Sequence, residues 1–163
     1  MRAIRVHEVG GPEVLRLEEL PVPEPGPGEV LVRLLAIGVN FIDTYKRKGL
    51  YPVPTPFTLG EEGAGVVEKV GEGGVGVRPG DRVAFANVQG AYAEYLVVPA
   101  ERLVPVPEGL DPKLAAALAE AGHRLHDRTL FRLRVTILRL LLGGRRANGP
   151  SAPTKLAEQR MRV

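Results

Sequence analysis

The chain has 163 residues, about one domain's worth, and is 44% hydrophobic and 25% charged, the balance of a globular protein. It contains no cysteine, which excludes disulfides and thiolate metal sites, and its three histidines leave little from which to build any other metal centre. The net charge of +3 conceals a split, since residues 1–120 hold 12 Lys/Arg against 17 Asp/Glu while residues 121–163 hold 10 against 2.

The opening "MRAIRVHEVG" lacks the apolar core of a secretory leader, and no window approaches 18 uninterrupted apolar residues. A soluble, cytoplasmic protein is expected. "AIRVHEV" and "VLRLEEL" alternate apolar and polar residues around the turn "GGPE", the pattern of two half-buried strands. "PVPEPGPGE" carries Pro21, Pro23, Pro25 and Pro27 and reads as a stiff connector. "EVLVRLLAIGVN" predicts a long β segment. "NFIDTYKRKG" predicts a short helix, with Asn40 or Asp43 as cap and Gly49 as stop. "LYPVPTPFTLG" reads as a proline-punctuated loop, and "GAGVVEKVG", "DRVAFAN", "AYAEYLVVP" and "RLVPVP" as strands. "DPKLAAALAE" begins a helix, with Asp111 as cap and Pro112 in the first turn. Many short strands between Gly/Pro turns point to a β-rich, barrel-like α+β domain rather than to βαβ units.

Seven glycines crowd into "LGEEGAGVVEKVGEGGVG", residues 59–76. A phosphate-binding loop needs G-x-G-x-x-G on a tight turn from a strand straight into a helix. Gly60, Gly63 and Gly65 have the wrong order and run into the β-branched "VVEKV". Gly71, Gly73 and Gly76 have the spacing but lead into "VRPGDRV", where Pro79 and Gly80 oppose a helix. Without a helix N-terminus there are no free N–H groups to hold a pyrophosphate. The glycines are expected to serve turns and close backbone approach.

"GGPEVLRLEELPVPEPGPGEVLVRLLAIGVNFIDTYKRKGLYP", "LGEEGAGVVEKVG", "VRPGDRVAF" and "GAYAEYLVVPAERLVPVPEGLD" strongly resemble NADPH-dependent quinone oxidoreductases. These form the zinc-free, zeta-crystallin-like branch of the medium-chain dehydrogenase/reductase superfamily. The resemblance runs in order through about residues 1–118. It implies a GroES-like, partly open β-barrel as the catalytic domain, here residues 1–120, which the family follows with a Rossmann domain and a returning segment that completes the barrel. In zinc-dependent relatives a ligand His sits in G-H-E-x-x-G, and Glu61 takes that place in "GEEGAG". Their cysteine ligand is replaced here within "GVNFIDT". The resemblance therefore implies no catalytic zinc and no other metal.

What remains is hydride transfer from NADPH to a quinone-type substrate or related enone by positioning and hydrogen bonding. The resemblance implies Tyr51 and Asn40 as catalytic residues, and Asn40, Asp43 and Tyr45 as cofactor contacts. Tyrosines offer flat apolar faces and a hydroxyl, and Asn offers donors and an acceptor. Each has a plainer reading as well. Asn40 suits a helix cap, Asp43 a local contact, and Tyr45 and Tyr51 packing at the barrel rim. Lys46, Arg47 and Lys48 read as a solvated face, and His7 as a surface strand residue.

Beyond "AAAL" the resemblance stops. "AEAGHRLHDRTLFRLRVTILRLLLGGRRANGPSAPTKLAEQRMRV" contains no Rossmann fingerprint, and nine of the ten basic residues in 121–163 are Arg. Three accounts fit this atypical tail: an out-of-frame translation, an engineered cap, or a basic extension that binds nucleic acid or anionic membrane. His123 and His126 have the spacing of a helical metal pair, but only Asp127 accompanies them. The expected consequences are a truncated enzyme with little or no turnover, and self-association through an exposed sheet edge. A non-catalytic interaction module is the alternative.

Overall fold

The computed structural model describes residues 1–73 and 76–123, with side chains through Ala119. The readings made of the basic tail beyond residue 123 fall outside this part, and with them the histidine pair, of which only the backbone of His123, in the last helix, is described. The elements in order are β1 (Arg2–Val6), β2 (Leu15–Glu19), β3 (Glu29–Ile37), α1 (Phe41–Arg47), β4 (Phe57–Thr58), β5 (Glu62–Val70), β6 (Arg82–Ala86), β7 (Tyr95–Pro99), β8 (Val104–Pro105) and α2 (Pro112–His123).

The strands form two antiparallel sheets, ordered β2-β1-β4 and β7-β3-β5-β6-β8. A single bridge between Ala3 and Ala93 joins them, reinforced by the Ile4 N–H to the Tyr92 carbonyl at 2.8 Å. The result is β-rich and curled but not a closed ring, as a partly open barrel requires. Alternating Val30 and Val32 of β3, Val67 of β5, Val83 and Phe85 of β6 and Val98 of β7 meet in one core. Their period of two puts every second side chain inward, and each fully buried valine contributes about 1.5–3 kcal/mol of apolar burial. The alanine-rich face of α2 covers the other side, with Ala115, Ala116 and Ala119 against Ala64 and Ala84. Small side chains there let the helix lie close to the sheet.

The glycine-rich stretch makes strand and turn. Gly63 and Gly65 lie within β5, and among the described residues between β5 and β6 there is no helix. A Cβ on Gly65 would run into the Arg33 carbonyl oxygen and lie 2.8 Å from Val32 Cγ1, so glycine lets β5 close on β3. Gly80 has φ of +92° in the turn before β6, a conformation that glycine adopts without cost.

Three local readings change. Residues 57–58, read as loop, pair with Val6 and Arg5 as the short strand β4. The segment "AYAEYLVVP" is strand only from Tyr95, because Tyr92 turns inward before it. His7 follows β1 rather than lying in it, and its Nε2 meets Glu18 Oε1 at 2.5 Å on the surface. No described helix is long and apolar enough to cross a membrane.

Candidate functional site

Helix α1 leaves the end of β3 through Gly38 and Asn40. The Gly38 backbone lies so close to the Glu62 carboxylate that a Cβ there would overlap it, which fixes where the chain turns. Asn40 caps the helix, as one of its two readings expected. Its backbone N–H donates to Asp43 Oδ2 at 2.9 Å, the carboxylate half of a capping box. Asn40 Nδ2 is enclosed without a hydrogen-bond partner, and so is Asp43 Oδ1.

The helix is turned inside out relative to an ordinary surface helix. Phe41 and Tyr45, four apart and on one face, are 79% and 40% exposed. Asp43 and Lys46, three apart on the opposite face, point into the domain. Asp43 is 3% exposed, and its Oδ2 also accepts from the Tyr92 hydroxyl at 2.9 Å. Burial raises the pKa of Tyr92 above its usual value, and the hydrogen bond and charge of Asp43 push it further in the same direction.

Lys46 corrects the solvated-face reading of the basic cluster. Its Nζ donates to Glu61 Oε1 and, at 3.0 Å, to Gln89 Oε1, and both members of the ion pair have side chains only 16% exposed. Arg47 is half-turned in as well, with Nε to the Gly10 carbonyl at 3.3 Å. Lys48 alone of the three is exposed. Sequence reasoning missed Tyr92, Lys46 and Gln89 as parts of this site. No local signal marks Lys46, because apolar Phe41 and Tyr45 at i, i+4 would ordinarily turn inward and leave Asp43 and Lys46 in solvent.

Tyr51 follows the helix and is 53% exposed. The Leu50 N–H bonds the Tyr45 carbonyl at 2.9 Å and folds the chain back, so the rings of Tyr45 and Tyr51 stand 6.1 Å apart at 37°. The structure thus gathers Asn40, Tyr45 and Tyr51 around one short helix, with Asp43 behind them rather than at the surface. The arrangement offers two exposed aromatic faces, while Asn40 Nδ2 is enclosed at the start of the helix. Such a surface suits a flat, partly polar ligand.

Residues 26–108 match the alcohol dehydrogenase GroES-like domain. The chain is similar to the quinone oxidoreductase of Pseudomonas aeruginosa, at 50% identity over 123 residues, covering 74% of this chain and 38% of that protein. Its similarity to the human quinone oxidoreductase is 43% over 122 residues, covering 72% and 37%. Among solved structures it is similar to the Escherichia coli quinone oxidoreductase complexed with NADPH, at TM-score 0.70 and 43% identity, covering 72% of this chain and 36% of that one. The chain thus spans under two-fifths of the length of these relatives. Fold, residue matches and relatives agree: the chain belongs to the GroES-like domain family of alcohol dehydrogenases and, within the medium-chain dehydrogenase/reductase superfamily, to the quinone oxidoreductases, whose N-terminal part it matches.

Proposed function

We propose that residues 1–120 form the acceptor side of an NADPH:quinone oxidoreductase that works in the cytoplasm without zinc and reduces quinones or related enones. The observation that carries this reading is the exposed Tyr45–Tyr51 pair at the end of helix α1, a surface with two aromatic faces and two hydroxyls. NADPH, when bound, supplies the hydride. Asn40 and Tyr45 hold and orient the nicotinamide end, and Asp43 supports Asn40 from behind. Tyr51 stacks on the acceptor ring and offers its hydroxyl to the acceptor oxygen. Together with Phe41, the tyrosines present apolar area for the ligand to cover.

The zinc-independent reading rests on the donor set. Glu61, at the place of the relatives' ligand histidine, already holds the Lys46 ammonium. The sequence supplies no cysteine, and among the described residues no three His, Asp or Glu side chains are grouped to hold a metal. Four-coordinate zinc needs more than Glu61 can give.

The test is a hybrid in which residues 1–118 replace the matching residues of the Pseudomonas aeruginosa relative. NADPH-dependent reduction of a simple quinone by the folded hybrid is expected, together with little oxidation by the 163-residue chain alone. A folded hybrid that binds NADPH yet reduces no quinone would refute the reading, and full activity of the chain alone would refute its dependence on further nucleotide-binding structure.

A further inference from the structure

Lys46 is the residue whose placement is hardest to account for by ordinary packing. A seven-residue helix normally settles on a domain by burying apolar side chains. Helix α1 instead exposes Phe41 and Tyr45 and turns in Asp43, Lys46 and Arg47. Burying charged groups is unfavourable unless each finds partners, so those partners dictate how the helix sits. Asp43 finds the Tyr92 hydroxyl near the first turn, and Lys46 finds Glu61 and Gln89 near the last. Gln89 is itself oriented by its Nε2, which reaches the Thr58 carbonyl at 3.5 Å. Two anchors one turn apart fix both the position and the rotation of a rigid helix.

We infer that Lys46 is a positioning residue: its ion pair with Glu61, shared with Gln89, sets the rotation of α1 so that Tyr45 faces outward within stacking reach of Tyr51. Glu61 is correspondingly an anchor for a lysine and not a free carboxylate. Without the ammonium, the hydrogen bonds that tie the last turn to a distant segment among the described residues are those between Arg47 and Gly10, at 2.9 and 3.3 Å. The apolar Phe41–Tyr45 face would then compete for the interior. The value of this arrangement to the acceptor site rests on the function proposed above. The placement itself does not.

The experiment uses the full chain and two-dimensional NMR. Three variants are compared with the wild type: Lys46→Met, which keeps the length and removes the charge, Lys46→Arg, which keeps it, and the swap Lys46→Glu with Glu61→Lys. The Lys48, Gly49 and Leu50 amides, which bond back to Thr44, Lys46 and Tyr45, report on the last turn of α1. In Lys46→Met their hydrogen exchange should accelerate at least tenfold while the β3 and β5 amides keep their rates, and the Tyr45–Tyr51 ring contacts should vanish. Lys46→Arg or the swap should restore both signals. Where Lys46→Met does not fold, Glu61→Gln, which keeps shape and acceptor, should show the same local pattern in weaker form. Unchanged exchange and ring contacts, or acceleration spread evenly over all strands, would overturn the inference. Adding tetramethyl-1,4-benzoquinone to the wild type separates the two readings. No shift at Tyr45 or Tyr51 counts against the acceptor site, whereas the exchange result still decides the role of Lys46.

Discussion

The Tyr92 hydroxyl donates to Asp43 Oδ2 at 2.9 Å, joining the segment before β7 to the first turn of α1, and the same carboxylate oxygen receives the Asn40 backbone N–H. One buried carboxylate therefore holds the helix cap and is itself held by a tyrosine 49 positions away. Tyr92 also closes over Gly60, where a Cβ would meet its ring, so its position is fixed on two sides.

Replacing Tyr92 with Phe keeps the ring and removes the donor. Asp43 Oδ1 already lacks a partner, so the carboxylate would keep only the backbone contact on Oδ2. A hydrogen bond to a charged, buried acceptor is worth roughly 1.5–3 kcal/mol, and a loss of about 2 kcal/mol is expected in urea unfolding. Stability equal to wild type would show that the contact contributes nothing.

The same bond gives the fold an alkaline limit. Tyr92 titrates higher in the folded chain than the usual value of 10.0, because burial and the Asp43 carboxylate disfavour its anion. A group whose folded pKa is raised contributes stability that is complete below the unfolded pKa and disappears as pH rises through the folded one. The difference in unfolding free energy between wild type and Tyr92→Phe should therefore be constant below a pH of about 10 and shrink above it. A difference that grows with pH would contradict the assignment.

Glycine substitutions distinguish close approach from turn geometry. Gly65→Ala presses a methyl group into the Arg33 carbonyl and Val32, neither of which can move without disturbing the β3–β5 ladder. A loss of about 3 kcal/mol is expected, the upper part of the overpacking range. Gly80→Ala meets nothing within 4 Å and carries only the left-handed backbone penalty, about 1–2 kcal/mol. Thermal unfolding that ranked Gly80→Ala as the more damaging change would contradict the packing argument.

Much of this was legible in the chain. The period-two runs of "EVLVRLLAI" and "RVAFA" fix which valines enter the core, and "NFIDTYKRKG" announces its own cap and stop. The fate of the glycines also follows from local context, since β-branched residues and Pro79 come after them instead of a helix. The polar interior of the site was harder to see. Lys46 pairs with Glu61 and Gln89, 15 and 43 positions away, and a basic "KRK" gives no sign of which member turns inward. Tyr92 shares an alternating run with Tyr95, and the fold interrupts that run with bends at Tyr92 and Glu94 on either side of the Ala93 bridge. Such contacts are set by the meeting of helix α1 with residues distant in the chain, which no local pattern encodes.

Tyr51 offers a clean separation of function from stability. Its side chain is half out in solvent and its ring meets that of Tyr45, so Tyr51→Ala should change the unfolding free energy by no more than about 0.5 kcal/mol. In the hybrid enzyme the same change removes one stacking face and a hydroxyl, and kcat/KM for the quinone should fall about tenfold or more. A large stability loss, or full retained activity, would place Tyr51 outside the acceptor site.

The most direct measurement is a titration of the full chain with tetramethyl-1,4-benzoquinone, followed by NMR at the Asn40 side-chain amide and the Tyr45 and Tyr51 rings. The account predicts saturable shifts at these three residues, weakened in Tyr51→Ala. Shifts confined to other parts of the surface, or none at all up to the solubility of the quinone, would contradict it.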